Sequence, residues 1–71
     1  MIPANKTLLA KNADTDIYLY SVSYGFLLLR GREVAGSIYF IEGVPKAWSS
    51  ETAWRLFHSE VRALTALRRV A

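Results

Sequence analysis

Ile17–Ile41, IYLYSVSYGFLLLRGREVAGSIYFI, is the stretch that decides the fold of this chain. β-Branched and aromatic residues dominate it, and glycines interrupt it at Gly25, Gly31 and Gly36. That composition predicts short strands separated by tight turns. The first strand is expected over Ile17–Tyr24, the second over Phe26–Arg30 and the third over Glu33–Ile41. Gly25 marks either a tight turn or a bulge in one longer strand. Gly31 and Arg32 fit a two-residue hairpin turn, because glycine at the first turn position accepts positive φ. A bulge is expected at Gly36. The connections are short, so the strands form an antiparallel meander.

Side chains alternate along a strand, and here both faces are apolar. In the first strand Ile17 and Leu19 lie on one face with Ser21 and Ser23, and Tyr18, Tyr20, Val22 and Tyr24 lie on the other. The second strand opposes Phe26 and Leu28 to Leu27 and Leu29, and the third opposes Ile38 and Phe40 to Tyr39 and Ile41. A sheet with one wet face alternates apolar with polar, and this one does so only at Ser21, Ser23 and Arg30.

One amphipathic helix follows, expected over residues 50–69. Ser49 or Ser50 can cap its first N–H groups, and Glu51 suits the positive end of its dipole. At about 100° per residue, Ala53, Trp54, Phe57, Val61 and Leu64 form one face, widened by Leu56, Ala63 and Leu67. Trp48, placed in the loop after Pro45, is expected to staple the helix start. Glu60 borders the apolar face and Arg68 projects toward its middle. Arg68 is expected to lie past the core edge, or to pair with Glu42 or a second subunit.

Before the meander, residues 1–16 form an entry segment. Thr7–Ala10 reads equally as a helical turn or an edge strand, and Asn12–Asp16 as a turn closed by Asn and Asp side chains. The expected fold is therefore a single α+β domain over residues 1–71. It comprises the entry segment 1–16, a three-stranded meander at 17–42 that becomes four-stranded if the entry segment adds a strand, and a C-terminal helix packed on one sheet face.

One helix covers one face, which leaves three readings for the other. A second copy can pack on it, a different protein can dock on it, or the N-terminal segment can fold back over it. A chain of 71 residues buries only about 60% of its unfolded surface, and small domains of this kind usually need a staple. With no cysteine, disulfides, thiolate metal sites and thiol nucleophiles are excluded. Association is the staple that remains. Hydrophobic residues make up 52% of the chain. Tyrosine, with an apolar body and a hydroxyl that tolerates water, is favoured at interfaces, so Tyr18, Tyr20, Tyr24 and Tyr39, with Trp48, are the candidate protein contacts.

A second candidate surface lies on the helix. Arg55, His58, Arg62 and Arg69 share its outer side, and the sevenfold spacing of the arginines makes a nearly straight row. Guanidinium groups fit phosphate and carboxylate oxygens, so the row suits nucleic acid or an acidic partner. It equally suits the solvated side of an amphipathic helix, with Glu51 pairing Arg55 four residues on. The net charge of +3 permits either.

Nothing in the chain resembles a catalytic set. Asp14 and Asp16 fall in a turn, and His58, Ser59 and Glu60 point in different directions on the helix. The single histidine excludes a multi-histidine metal site within one chain. The expectation is a non-enzymatic protein with no cofactor, metal or small-molecule substrate. It acts as a homodimer, or as an inhibitor or adaptor docking through its aromatic sheet face. The alternative is a nucleic-acid-binding regulator using the arginine row. The longest apolar run, Phe26–Leu29, is too short to span a membrane. No secretory leader is recognisable, so a cytoplasmic location is expected.

Overall fold

The computed structural model describes residues 2–70 and is α+β. Four strands, β1 (Thr7–Asn12), β2 (Ile17–Val22), β3 (Gly25–Arg30) and β4 (Glu33–Tyr39), precede one helix, α1 (Lys46–Val70). The sheet is antiparallel throughout, in the order β1-β2-β3-β4. The entry segment thus supplies a fourth strand, at the sheet edge. Its turn into β2 is closed as expected: Asn12 Oδ1 accepts the Thr15 N–H at 3.1 Å and the Thr15 hydroxyl at 2.9 Å.

The hairpins fix the register. Val22 faces Gly25, so Ser23 and Tyr24 form a two-residue turn and the first long strand ends at Val22, not Tyr24. Arg30 faces Glu33 across the Gly31–Arg32 turn, and Gly31 has φ 63°. Gly25 has φ 152°, and a Cβ there would lie 1.9 Å from the Ile38 carbonyl oxygen. Only glycine allows β3 and β4 to meet at this point. The bulge in β4 is one residue from its expected place: Leu28 faces Gly36 while Leu29 faces Val34, so Ala35 is the extra residue. A matching shift in β1 leaves Leu9 unpaired between Leu8 and Ala10.

Cross-strand partners share a face, so the register assigns the two sides. On the helix side lie Ala10, Leu19, Leu28 and Gly36 in one row, and Thr7, Ser21, Phe26 and Ile38 in another. The core joins Ile17, Leu19, Phe26 and Leu28 of the sheet to Ala53 and Phe57 of the helix. Phe26 and Phe40 meet edge to face at 5.8 Å, as do Trp54 and Phe57 at 6.1 Å. Trp54 lies on the core stripe as expected.

Helix α1 departs from expectation at its start. It begins at Lys46, four residues earlier than its expected start, immediately after Pro45. Proline has a preset φ and lacks the N–H that a helix start would leave unpaired, and the Trp48 N–H donates to the Pro45 carbonyl at 3.0 Å. Ser49 is therefore not a cap. It lies inside the helix, 1% exposed against the sheet, and its hydroxyl has no hydrogen-bond partner among the described residues. Glu51 falls beyond the first turn, and Trp48 belongs to the helix rather than to a loop. Ser49 and Ala53 are small, which lets the helix approach closely enough for Leu56 to close over Gly36. Ala63 and Leu67, expected to widen the core face, are exposed.

Two substitutions test this packing in opposite directions. Gly25→Ala should destabilise by on the order of 2–3 kcal/mol, through overpacking and an unfavourable φ. Ser49→Ala should stabilise by about 0.5 kcal/mol, since it removes an unpaired buried hydroxyl and improves helix propensity. Urea denaturation of both variants measures each sign.

Candidate protein-binding face

Among the described residues, no second layer of secondary structure covers the sheet face away from α1. Its rows read Leu8–Tyr20–Leu27–Ser37, Lys11–Tyr18–Leu29–Val34 and Val22–Gly25–Tyr39. Each carries large apolar groups, as the alternation in the sequence requires. The centre is nevertheless closed: Val22, Leu27 and Leu29 are buried, with Tyr18, Tyr20 and Ile2 packed against them. The two tyrosine rings stack at 6.4 Å. The Tyr18 hydroxyl donates to Asp16 Oδ1 at 2.7 Å, and Lys6 Nζ lies 5.4 Å from the centre of the Tyr20 ring. The entry segment thus contributes to covering this face, through Ile2 rather than through Leu8 and Leu9.

What stays open is the rim. Leu8 is 49% exposed, Val34 47% and Tyr39 59%. Tyr39 stacks on Tyr24 at 5.2 Å, making an aromatic pair at the end of the face. The sequence-derived candidates therefore separate into groups. Tyr18 and Tyr20 form the half-buried centre, and Tyr24 and Tyr39 the exposed end. Trp48 is exposed too, but its position on the helix lies on the opposite side from Ser49, Ala53 and Phe57, away from this face. Leu8 and Val34 are additional rim residues. Leu8 was ambiguous because β1 was, and the bulge at Ala35 hides the face of Val34.

Arg55, His58, Arg62 and Arg69 are all exposed on α1. Arg55 pairs with Glu51 at 2.8 Å, the only salt bridge among the described residues. His58 lies with its ring 6.1 Å from that of Trp54, nearly parallel, so it leans on the hydrophobic layer rather than standing free in the row. Arg68 is exposed, and about 33 Å of helix separates it from Lys46, so the Glu42 loop preceding α1 is out of its reach. Among the described residues, no group of three or more His, Asp or Glu side chains is placed to hold a metal ion. Among the described residues, no helix is long and apolar enough to cross a membrane.

No protein-family model matches the chain, and neither curated proteins nor solved structures give a match.

The Tyr18 hydroxyl is held above its ordinary pKa, first by its hydrogen bond to Asp16 and then by the charge of that carboxylate. A raised phenol pKa favours the neutral form in the folded state. This contribution to stability is present below the ordinary tyrosine range near pH 10 and is lost as pH rises through the folded value. Ultraviolet titration of the four tyrosines should show one ionising later than an ordinary phenol. Asp16→Asn should return it toward the ordinary range, and Tyr18→Phe should remove that step.

Proposed function

We propose that this protein is a small non-enzymatic binding module that docks on another protein through the open sheet face. The observation that carries the reading is the exposed apolar rim of Leu8, Val34 and Tyr39 around a closed tyrosine-covered centre. Exposed apolar surface of this kind marks interaction sites, and the Tyr24–Tyr39 pair offers the rigid aromatic anchors that interfaces favour. The edges support face docking over strand addition. Each edge strand carries a one-residue register shift, a device that keeps edges from pairing with another chain.

Leu8→Lys, Val34→Lys and Tyr39→Lys test the reading. Exposed positions of this kind change stability by no more than about 0.5 kcal/mol, so the variants should fold normally. They should release protein partners that the wild-type chain retains in a pull-down from its native host, whereas Arg62→Glu should retain them. Partners held equally by wild type and by all three rim variants would refute face docking. A marked loss of stability would show that the rim is already covered within the chain.

The arginine row supports a second reading, a nucleic-acid-binding regulator. Among the described residues only Arg55, at one end of the row, has a carboxylate partner, which leaves Arg62 and Arg69 to phosphate in this reading. Arg62→Ala should then weaken binding to unrelated duplexes alike and lower the salt slope by about one. Wild-type and variant chains that both ignore DNA in a gel-shift titration at low salt would remove this reading.

A further inference from the structure

The apolar stripe of α1 continues after the sheet has ended. The helix has 25 residues and is about 37 Å long at about 1.5 Å per residue. The strands have six or seven residues and span about 20–23 Å. Lys46 lies over Phe40 and Leu56 over Gly36, so α1 runs back along β4 toward the end of the sheet that carries the Ala13–Asp16 and Gly31–Arg32 turns. The fully buried helix positions stop at Phe57, and Val61 and Leu64 are only partly covered. The last turns project beyond the sheet. Leu67 and Arg68 follow Leu64 by three and four residues, so they continue the sheet-facing stripe into open space. Leu67 is 65% exposed, more than any other large hydrophobic side chain among the described residues.

The turn and a half of helix after Leu64 gains little from tertiary contact, and helices in proteins draw most of their stability from packing an apolar face. The charges beside the projecting turns point to what completes them. Arg68 and Arg69 sit in the last turn. The end of the sheet nearest the helix C-terminus carries the exposed turn residues Asp14 and Asp16, the second hydrogen-bonded to Tyr18. Arg30 and Glu33 face each other across the last rung and offset one another, and Arg32 remains in the second turn.

We infer that the occupant is a second copy of this chain, packed through the projecting end of α1 in a twofold, antiparallel arrangement. Antiparallel pairing sets Leu64 and Leu67 of one copy against those of the other. It also carries Arg68 of each copy, which lies on the sheet-facing stripe, toward Asp14 in the turn of the opposite copy. One surface that is basic on the helix and acidic at the sheet end thereby matches itself, as a twofold interface requires. The sheet faces lie outside this contact, so the dimer presents two of them. This inference does not depend on what the sheet face binds.

The contact is short and belongs to the small, transient class below about 1,200 Å², so light scattering should run to about 1 mM chain. The wild type is expected to move from 8.0 kDa toward twice that mass as concentration rises. Leu67→Glu should raise the dissociation constant at least about tenfold, as should Arg68→Glu combined with Arg69→Glu, and Asp14→Lys. Circular dichroism confirms that each variant folds. Mixing the acidic-helix variant with Asp14→Lys should restore a dimer, since the heterodimer pairs opposite charges at both contacts while each homodimer opposes like charges. A monomer at every concentration, a dimer that survives Leu67→Glu but is lost with Tyr39→Lys, or a mixture with no recovered dimer would each overturn the inference.

Discussion

Strand β3 must be buried on both sides, and the rest of the molecule is arranged around that requirement. Phe26 and Leu28 point to one side and Leu27 and Leu29 to the other, and all four are under a tenth exposed. Fully burying side chains of this size stabilises by about 1.5–3 kcal/mol each, so neither side can be left wet without losing much of what holds a 71-residue domain together. On one side the solution is conventional: α1 lays Ala53 and Phe57 on Leu19 and Leu28. On the other, the described residues form no second layer. Tyr18, Tyr20 and Ile2 close over Leu27, Leu29 and Val22 instead. Tyrosine suits this because its ring covers apolar neighbours while its hydroxyl reaches water or, for Tyr18, the Asp16 carboxylate.

The meander was legible because its signals were redundant. Alternation fixed the faces, and Gly31 fixed the second hairpin by demanding positive φ. The entry strand was legible only as one of two readings, because the unpaired Leu9 interrupts the period of two and most of β1 is exposed. Such a strand is held by backbone pairing rather than by a buried stripe, so no hydrophobic pattern announces it. The helix start was misplaced for a related reason. Two adjacent serines resemble caps, but Ser49 is buried because its small side chain lets the helix sit close to the sheet. Pro45 was the better boundary signal. Of the candidate contacts, Tyr18 and Tyr20 share a face as alternation required, Tyr39 joins that face through the register of β4 with Tyr24 stacked on it from the turn, and Trp48 followed the helix to the opposite side.

Ile2 shows a limit of pattern reading. A single aliphatic side chain outside any strand or helix carries no periodicity, yet it completes a buried cluster. Its contribution depends on where the chain enters β1, and that entry is a tertiary outcome.

The two ends of the molecule are chemically different. The end where β4 passes into α1 carries the Tyr24–Tyr39 pair, and the end where α1 leaves the sheet carries Asp14, Asp16, Arg68 and Arg69. Contacts at the first would rest mainly on apolar area, which ionic strength affects little and which leaves a negative heat-capacity change. Contacts between exposed charges at the second weaken as the Debye length shortens from about 10 Å at 0.1 M to about 3 Å at 1 M. Helix α1 fastens both ends to one sheet through Ser49, Ala53 and Phe57, and a packed core of this kind moves as a unit. Association at the helix end would therefore leave the shape of the sheet face unchanged. What it would change is valence, by presenting two identical faces on one particle, and a partner with repeated sites would gain effective concentration without any new contact.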